Sequence, residues 1–399
     1  MQTVDDRQLE ALARDALSEL TEFDRASASE GEKRAASMIR QWLEDDGASA
    51  SVEQERAHGT YWWPLGLLTA GAGLAAVAKS RLVRLTVGLF SAAALADDIS
   101  GGRQWFRRAL PQRSTWNVVA EAGDASAPTT VVFVAHHDAA NWSLLFSPRL
   151  PEFFGERFPA QLARSQTTPP IMFPVFAGPV LTAISGATGS KLLRRLGCLL
   201  SLGSALTFAE IGSRSVVPGA NDNLSGVAVL LGLARILRGS PVSGVRVLLV
   251  STGSEESFME GMRGFARSHF DSLPTQSTHF VCIDSVGSPT LMQLEGEGML
   301  KMRDYPQPLK ELLSDSAAEL DIPLVRGLRF RNATDALISL KAGYPTVMLG
   351  SISKYKAPSN YHWPTDTAEN VDYGSVVAAT RLCERLIAKL AASGAGADD

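Results

Sequence analysis

VVFVAHHDAAN, residues 131–141, joins an apolar run to three polar side chains that directly follow it. The run predicts a β-strand, and His136, His137 and Asp138 stand at its C-terminal end. Ligands of open α/β sheets bind at that edge. A histidine there is more often structural or exposed, but a carboxylate two residues away can orient a metal-binding imidazole. The segment is therefore a candidate metal site, with a structural role as the alternative.

Further apolar runs recur along the chain, with helical patterns between them. VRVLLV (245–250) and FVCI (280–283) resemble VVFVA in being near-continuous apolar runs, which are typical of strands buried on both faces of a sheet. Helical patterns separate the runs. The alternation predicts an α/β fold with a mostly parallel central sheet, its strands near residues 116–120, 129–135, 245–251, 280–283 and 344–349.

Length and composition narrow the class of protein. With 399 residues and 45% hydrophobic content, the chain can bury an enzyme-sized core. Its net charge of −4 gives no basic surface for nucleic acid, so we expect no such partner. Three widely spaced cysteines fit neither a disulfide framework nor a CxxC metal site, which favours a reducing compartment such as the cytoplasm. No cleavable signal peptide is visible in the sequence.

Two apolar segments stand outside the alternation of strands and helices. We expect each, residues 61–109 and residues 143–213, to form an apolar helical hairpin inserted into one catalytic domain that spans residues 1–399. In both segments two uncharged arms flank a basic turn: 61–78, 79–84 and 85–96 in the first, and 166–190, 191–195 and 196–209 in the second.

The composition of these hairpins favours contact with a membrane. Tyr61, Trp62 and Trp63 open the first hairpin, and aromatic residues of this type are enriched at membrane interfaces. We therefore expect membrane association, with a soluble helical cap over the site as the alternative. The second arms are short and the second hairpin opens on several prolines, so shallow or re-entrant insertion is favoured over full crossings.

Acidic residues follow two more of the predicted strands and one loop. Glu255 and Glu256 come after VRVLLV, and Asp284 directly follows FVCI. A lone carboxylate after a wholly apolar strand is costly unless it is paired, capped or metal-bound. Asp222 lies in the turn-rich PGANDNLSG, where a helix N-cap is the ordinary interpretation. For Glu255 and Glu256 the ordinary interpretation is a solvated acidic turn.

A last candidate is His362 in SNYHWPTDTAEN, residues 359–370. It lies in a loop before a helix that Thr365 or Asp366 is expected to cap. Taken together, the histidines and carboxylates stand at strand ends and loops that one sheet edge would collect. Mixed imidazole and oxygen ligands suit zinc, and one carboxylate can bridge two such ions. The sequence contains no HExxH motif, so a single-zinc protease of that design is excluded.

Five motifs in this order resemble those of the di-zinc aminopeptidase family that also contains glutaminyl cyclases. They are His136-x-Asp138, Gly219-Ala220-Asn221-Asp222-Asn223-x-Ser225-Gly226, Glu255-Glu256, Asp284-x-x-Gly287 and Tyr361-His362-x-Pro364-x-Asp366-Thr367. The resemblance implies a three-layer zinc-exopeptidase fold with two zinc ions per chain. It also implies five metal ligands, with Asp222 bridging: His136, Asp222, Glu256, Asp284 and His362.

The resemblance assigns roles to further residues as well. It implies that Glu255 is the general base, that Asp138 supports His136, and that Tyr361 donates a hydrogen bond to the developing oxyanion. Asp335 matches a family aspartate near the pocket without an assigned role. The chain departs from the family pattern in having a histidine at position 137 and in lacking a cysteine pair near His362.

The implied function is a zinc-dependent exopeptidase of the aminopeptidase type, acting on peptides with a metal-activated water. The first alternative is a glutaminyl cyclase-like acyltransferase, a reaction for which the resemblance implies one zinc ion. A non-catalytic binding module on a peptidase scaffold is the second, although every ligand and Glu255 are retained. Substrate preference and oligomeric state do not follow from the sequence, and the location is expected to be membrane-associated or cytoplasmic.

Overall fold

A computed structural model describes residues 4–395, and the two ends of the predicted 1–399 domain lie outside the described residues. Within residues 4–395 the strands form one sheet of nine. In chain order they are β1 (Ser49–Ala57), β2 (Arg113–Gly123), β3 (Thr130–His136), β4 (Arg246–Thr252), β5 (Thr278–Ile283), β6 (Thr290–Glu297), β7 (Arg303–Asp304), β8 (Leu324–Phe330) and β9 (Thr346–Ile352).

Parallel pairing is confined largely to the middle of this sheet. β4, β3, β5 and β9 lie side by side and all run parallel, whereas β1, β2 and β6 extend the sheet by antiparallel pairing. The predicted mostly parallel sheet is therefore correct for the centre and wrong for β1, β2, β6 and β7, although β8 pairs parallel with β6. The reason lies in burial: β3 is buried along its whole length, but β1 and β2 have a half-exposed face that antiparallel strands tolerate.

Helices cover both faces of the sheet. They are α1 (Asp6–Leu20), α2 (Glu30–Asp45), α3 (Trp62–Val77), α4 (Arg81–Ile99), α5 (Trp105–Arg108), α6 (Arg149–Arg157), α7 (Pro159–Arg164), α8 (Met172–Thr188), α9 (Lys191–Gly212), α10 (Ser225–Gly239), α11 (Glu260–His269), α12 (Gln307–Glu319), α13 (Ala336–Lys341) and α14 (Tyr373–Ala395).

The two faces of β3 show how the layers are built. Val131 and Phe133 pack in a core with α1, α2, α10, α12 and α14, while Val132 and Val134 pack in a second core with α3, α4, α9, α11 and α13. Alternate residues of a strand point to opposite faces, so a run that is apolar at every position serves both cores. The result is a helix–sheet–helix sandwich.

Four of the apolar helices, α3, α4, α8 and α9, pack on one another and are called the helical bundle below. α3 runs antiparallel to α9, since Gly73 lies against Leu202 and Gly212 against Trp62. The turns α3–α4 and α8–α9 meet at one end, the tip, where Arg81 Nε donates to the Gly186 carbonyl over 3.0 Å. The helices match the predicted apolar arms, but their being insertions into the body stays a prediction.

The other end of the bundle, its base, is fixed to the body by a buried ion pair. Arg107 donates to both carboxylate oxygens of Asp98, at 2.7 and 3.1 Å, and both side chains are 1% exposed. Arg107 also donates to the Ser257 carbonyl, next to the predicted Glu255-Glu256 pair. The end of α4 is thereby linked to the loop that follows β4.

We predict that Asp98→Ala lowers the free energy of unfolding by about 3 kcal/mol, because it removes the carboxylate that Arg107 hydrogen-bonds and, among the described residues, leaves only Glu260, 3.8 Å away, near the buried guanidinium. Equilibrium unfolding in urea measures this loss. The control is Glu10→Ala, which removes the exposed pair with Arg14 on α1 and should cost about 0.5 kcal/mol or less. Equal effects of the two changes would show that the buried pair does not anchor the bundle.

Candidate metal centre

Three adjacent parallel strands deliver most of the candidate ligands to one edge of the sheet. His136 is the last residue of β3, Glu255 and Glu256 follow β4, and Asp284 follows β5. Parallel strands in register end at the same edge, so residues far apart in sequence become neighbours there. The structure thus brings together the side chains that the sequence placed at strand ends.

Asp222 reaches the same place from a loop instead of a strand. The backbone N–H groups of Asn221 and Asp222 donate to the Asp366 carboxylate over 2.7 and 3.0 Å, which ties this loop to the segment that carries His362. Gly219 has φ +60°, and a Cβ there would meet the Asp222 carbonyl oxygen at 2.7 Å. The loop conformation therefore depends on a glycine at this position.

These contacts set aside the N-cap alternative for Asp222 and correct the expectation that Thr365 or Asp366 caps the helix after His362, since the Thr365 hydroxyl donates to Asn360. Asp222 caps no helix, because the turn before α10 is bonded by Asn223, whose Oδ1 accepts from the Gly226 N–H over 3.1 Å. Asp366 binds the Asp222 loop and does not cap α14, at whose start Asp372 accepts from the Ser375 N–H. Both carboxylates are used for tertiary contacts, which local sequence does not reveal.

The predicted ligands form two triads that share Asp222. Ligand atoms of His136, Asp222 and Asp284 lie within 4.8 Å of one another, and so do those of Asp222, Glu256 and His362. The two oxygens of Asp222 face different histidines: Oδ1 is 3.3 Å from His136 Nε2 and Oδ2 is 3.2 Å from His362 Nε2. Asp222 is therefore the residue that the two triads have in common, and its bridging role stays a prediction.

Several atoms of these triads have no hydrogen-bond partner and could instead bind a metal ion. His136 Nε2, Asp222 Oδ2 and Glu256 Oε1 are buried and lack a hydrogen-bond partner. Buried polar atoms without partners are costly, and a cation offers the missing interaction. Two imidazoles with three carboxylates form a ligand set that suits zinc.

Asp138 holds the centre together from behind His136. Its oxygens accept from the Ser27 hydroxyl at 2.6 Å and from the Glu255 and Glu256 N–H groups at 3.0 and 3.1 Å. Its Oδ1 lies 3.4 Å from His136 Nδ1, so it faces the ring nitrogen opposite the triad. Burial alone would raise the pKa of Asp138, but contact with His136 outweighs it and holds the pKa below its usual value.

Glu255 lies beside the two triads without belonging to either. Its Oε2 is 3.9 Å from His136 Nε2, and together with His136 and Glu256 it forms a third group of close carboxylate and imidazole atoms. Burial raises the pKa of Glu255 well above its usual value, and the negative charges of Asp335 and Glu256 add to the rise against the opposing effect of His136. A carboxylate with a raised pKa is suited to accept a proton.

His137 and Tyr361 occupy different surroundings. His137 is fully buried and turned away from the triads, with Nδ1 2.9 Å from the Ser251 hydroxyl, and burial lowers its pKa to about 3. Tyr361 stacks on the His362 ring with centroids 3.9 Å apart. It also lines a small cavity of about 30 Å³ that opens on Asp222, Glu255, Glu256 and Asp284.

Three contributors to the site were not assigned a role from the sequence. Arg25 is fully buried and donates to the carbonyls of His137 and Pro218, over 3.0 and 2.6 Å, joining two ligand segments. Asp335 accepts from the Thr252 hydroxyl, and burial raises its pKa to about 7. Phe146 packs edge-on against the His362 ring, with centroids 4.6 Å apart. A lone Arg or Phe in a loop carries no sequence signal for such a role.

A larger cavity of about 490 Å³ lies on another side of Glu256. Tyr61, Trp62 and Trp63, at the base of the bundle, form part of its wall, and Ala139 and Ala140 form another part. The metal centre therefore borders two cavities, one within the body and one between body and bundle.

Solved structures with the same fold support the assignment of a class. An aminopeptidase from Aneurinibacillus sp. strain AM-1 is 14% identical with a TM-score of 0.56, covering 96% of this chain and 95% of that one. A Zn-dependent exopeptidase from Parabacteroides distasonis is 13% identical with a TM-score of 0.56, covering 97% and 98%. A glutaminyl cyclase from Bacteroides thetaiotaomicron is 11% identical with a TM-score of 0.57, covering 97% and 98%. These likenesses show that the chain has the fold of these enzymes.

A sequence match to a family covers the C-terminal part of the chain. The model of Peptidase family M28 matches residues 206–387, a segment that holds Asp222, Glu255, Glu256, Asp284 and His362. The resemblance found in the motifs is confirmed for this segment, whereas His136-x-Asp138 lies before it. The chain is similar to zinc peptidases over these residues, and the roles of its individual residues stay predictions.

We predict that Glu256→Ala and His362→Ala each lower bound zinc as well as activity, because each removes a donor atom from the second triad. Zinc per chain, measured by atomic emission after dialysis, is the readout. His137→Ala is the matched control and should leave zinc near the wild-type content, since its ring bonds Ser251. Loss of zinc in His137→Ala but not in His136→Ala would show that the ligand is assigned to the wrong histidine.

Proposed function

We propose that the chain is a zinc-dependent exopeptidase of the aminopeptidase type that holds two zinc ions. The observation that carries the proposal is the pair of triads sharing Asp222, with the carboxylate of Glu255 next to both. His136 and Asp284 would hold one ion, Glu256 and His362 the other, and Asp222 both. Five donors in this arrangement favour two metals over one.

Bound zinc supplies a water of lowered pKa and polarises the carbonyl of the scissile bond. Glu255 takes the proton of the attacking water and delivers it to the leaving amine, a transfer typically worth about 10²–10⁴-fold in rate. Its burial favours the protonated form after the first transfer, which is the form that the second transfer needs. Tyr361, at the wall of the small cavity, donates a hydrogen bond to the developing oxyanion.

The larger cavity, of about 490 Å³, has room for the first residue of a peptide, and Glu256 forms part of its wall. Tyr61 and Trp62 line the same cavity and supply apolar surface for a side chain. The small cavity of about 30 Å³ has room for only about one or two waters. A peptide end in the larger cavity would reach the triads from the side of Glu256, which supports removal of residues from a chain end.

A glutaminyl cyclase-like reaction is the competing function, since one protein of the same fold is such an enzyme. Metal stoichiometry together with release of a free amino acid from a dipeptide distinguishes the two. A panel of aminoacyl-arylamides assayed with zinc and with cobalt tests the peptidase directly. Cyclisation of N-terminal glutamine with one zinc per chain would replace the proposal, and absence of turnover with full metal content would favour a binding module.

We predict that Glu255→Gln reduces kcat by about 10²–10⁴-fold while zinc stays near two per chain, because the amide cannot accept the proton and the residue is not a ligand. Turnover of an aminoacyl-arylamide and zinc content are measured on the same sample. The neighbouring Glu256→Gln is the matched control and should lose zinc as well. Activity near wild type in Glu255→Gln would remove this residue from the role of base.

A further inference from the structure

We propose that the helical bundle is embedded in a lipid bilayer, tip first, with its outer surface in contact with the acyl chains. The inference rests on how the bundle distributes large and small side chains. A soluble bundle buries its large apolar residues and exposes polar ones. This bundle is built in the opposite way.

The crossings between the bundle helices are made of small residues, whereas large buried side chains such as Leu65, Leu95 and Phe208 pack toward the body. Where α4 crosses α8, a Cβ on Gly88 would meet the backbone of Ala183 at 2.5 Å, and where α8 crosses α9, a Cβ on Gly178 would meet the backbone of Ser201 at 2.8 Å. Two of the hydroxyls buried between the helices are bonded within their own helix, Thr69 to the Leu65 carbonyl at 2.8 Å and Ser185 to the Thr182 carbonyl at 2.7 Å. Close backbone contact through small residues is the packing found between helices in membranes.

The exterior of the bundle is made of large apolar residues. Leu74, Leu199 and Leu206 are 65%, 68% and 72% exposed. Similar side chains surround all four helices, namely Trp63, Leu67, Val77, Leu82, Val83, Leu89, Phe90, Ile171, Phe173, Ile184, Leu192 and Leu196. A contiguous apolar surface on this scale is rare in soluble monomers and marks contact with a membrane or another protein.

The length of the charge-free surface matches a bilayer. α3 and α8 contain no charged residue, and the charge-free parts of α4 and α9 cover residues 85–96 and 196–209. At about 1.5 Å per residue these stretches measure roughly 18–25 Å, against a hydrocarbon core of about 30 Å. The bilayer can thin locally around a helix that is shorter than its hydrocarbon core. Long basic side chains can also extend from the helix end to the lipid head groups, so the shorter stretches still fit. α9, Lys191–Gly212, is the helix among the described residues that is long and apolar enough to cross a membrane by itself.

The two ends of the bundle carry the side chains expected at the polar boundaries. Lys79, Arg81, Lys191 and Arg195 are exposed at the tip, where they complement the negative charge of lipid phosphates. Tyr61, Trp62 and Trp63 lie at the base, the position of an interfacial aromatic belt. Basic residues at the tip and aromatic residues at the base favour lipid, rather than another protein, as the partner that covers the apolar surface between them.

Insertion places the larger cavity at the membrane surface. That cavity lies between the base aromatics and Glu256, so peptides would reach the metal centre along the boundary between lipid and water. This consequence rests on the proposed peptidase function. The insertion itself does not, because its test requires no activity.

Flotation of the full-length protein with vesicles tests the insertion. Protein reconstituted from mild detergent into phosphatidylcholine vesicles with roughly 30 mol% phosphatidylglycerol should float with the lipid and stay there in alkaline carbonate and high salt. Leu199→Glu with Leu206→Glu should reduce the floated fraction by at least about tenfold, because two charges enter the acyl region. Near-ultraviolet circular dichroism in detergent checks that the variant body remains folded.

Leu320→Glu is the matched control, since Leu320 is an exposed leucine at the end of α12 and away from the bundle. It should float like the wild type. Recovery of wild-type protein in the soluble fraction without detergent, as a monomer, would overturn the proposal in favour of a soluble cap. Recovery there as a defined oligomer would overturn it in favour of a second copy on the apolar surface.

Discussion

Buried negative charge at the carboxyl edge of β4, β3 and β5 is the constraint on which the rest of this structure depends. Six carboxylates converge there with two imidazoles: Asp138, Asp222, Glu255, Glu256, Asp284 and Asp335, with His136 and His362. Groups of like charge at such distances raise one another's pKa when burial removes the screening of water. The cluster therefore needs cations to be stable in its ionised form, and this need links the fold to metal binding.

Holding such a cluster in place requires contacts that do not come from the strands themselves. Asp138 binds the loop after β4 through two N–H groups, Asp366 binds the loop of Asp222 through two more, and Arg25 joins β3 to the same loop. Each contact connects two segments that carry ligands. The ligand geometry is thus set by backbone hydrogen bonds to buried charged side chains, which are stronger than bonds between neutral groups.

The bundle is joined to this centre through a buried ion pair. Asp98 and Arg107 join the end of α4 to the loop after β4, which carries Glu255 and Glu256. A change in the position of α4 would therefore reach this side of the site.

The sequence by itself determined the central parallel strands, the residues at their ends and the order of the motifs, because continuous apolar runs and strand-end polar groups are local properties. It also located the apolar segments that became the bundle helices. Only the tertiary structure decided the antiparallel edges of the sheet and the contact between Asp366 and the Asp222 loop. It also decided that Arg25 joins two loop segments and that Phe146 packs against His362. The pairs Asp366–Asp222, Arg25–Pro218 and Phe146–His362 are 144, 193 and 216 positions apart in the chain. Local pattern cannot specify such partners, since the same side chain serves as a cap, a surface charge or a buried tether according to what packs against it.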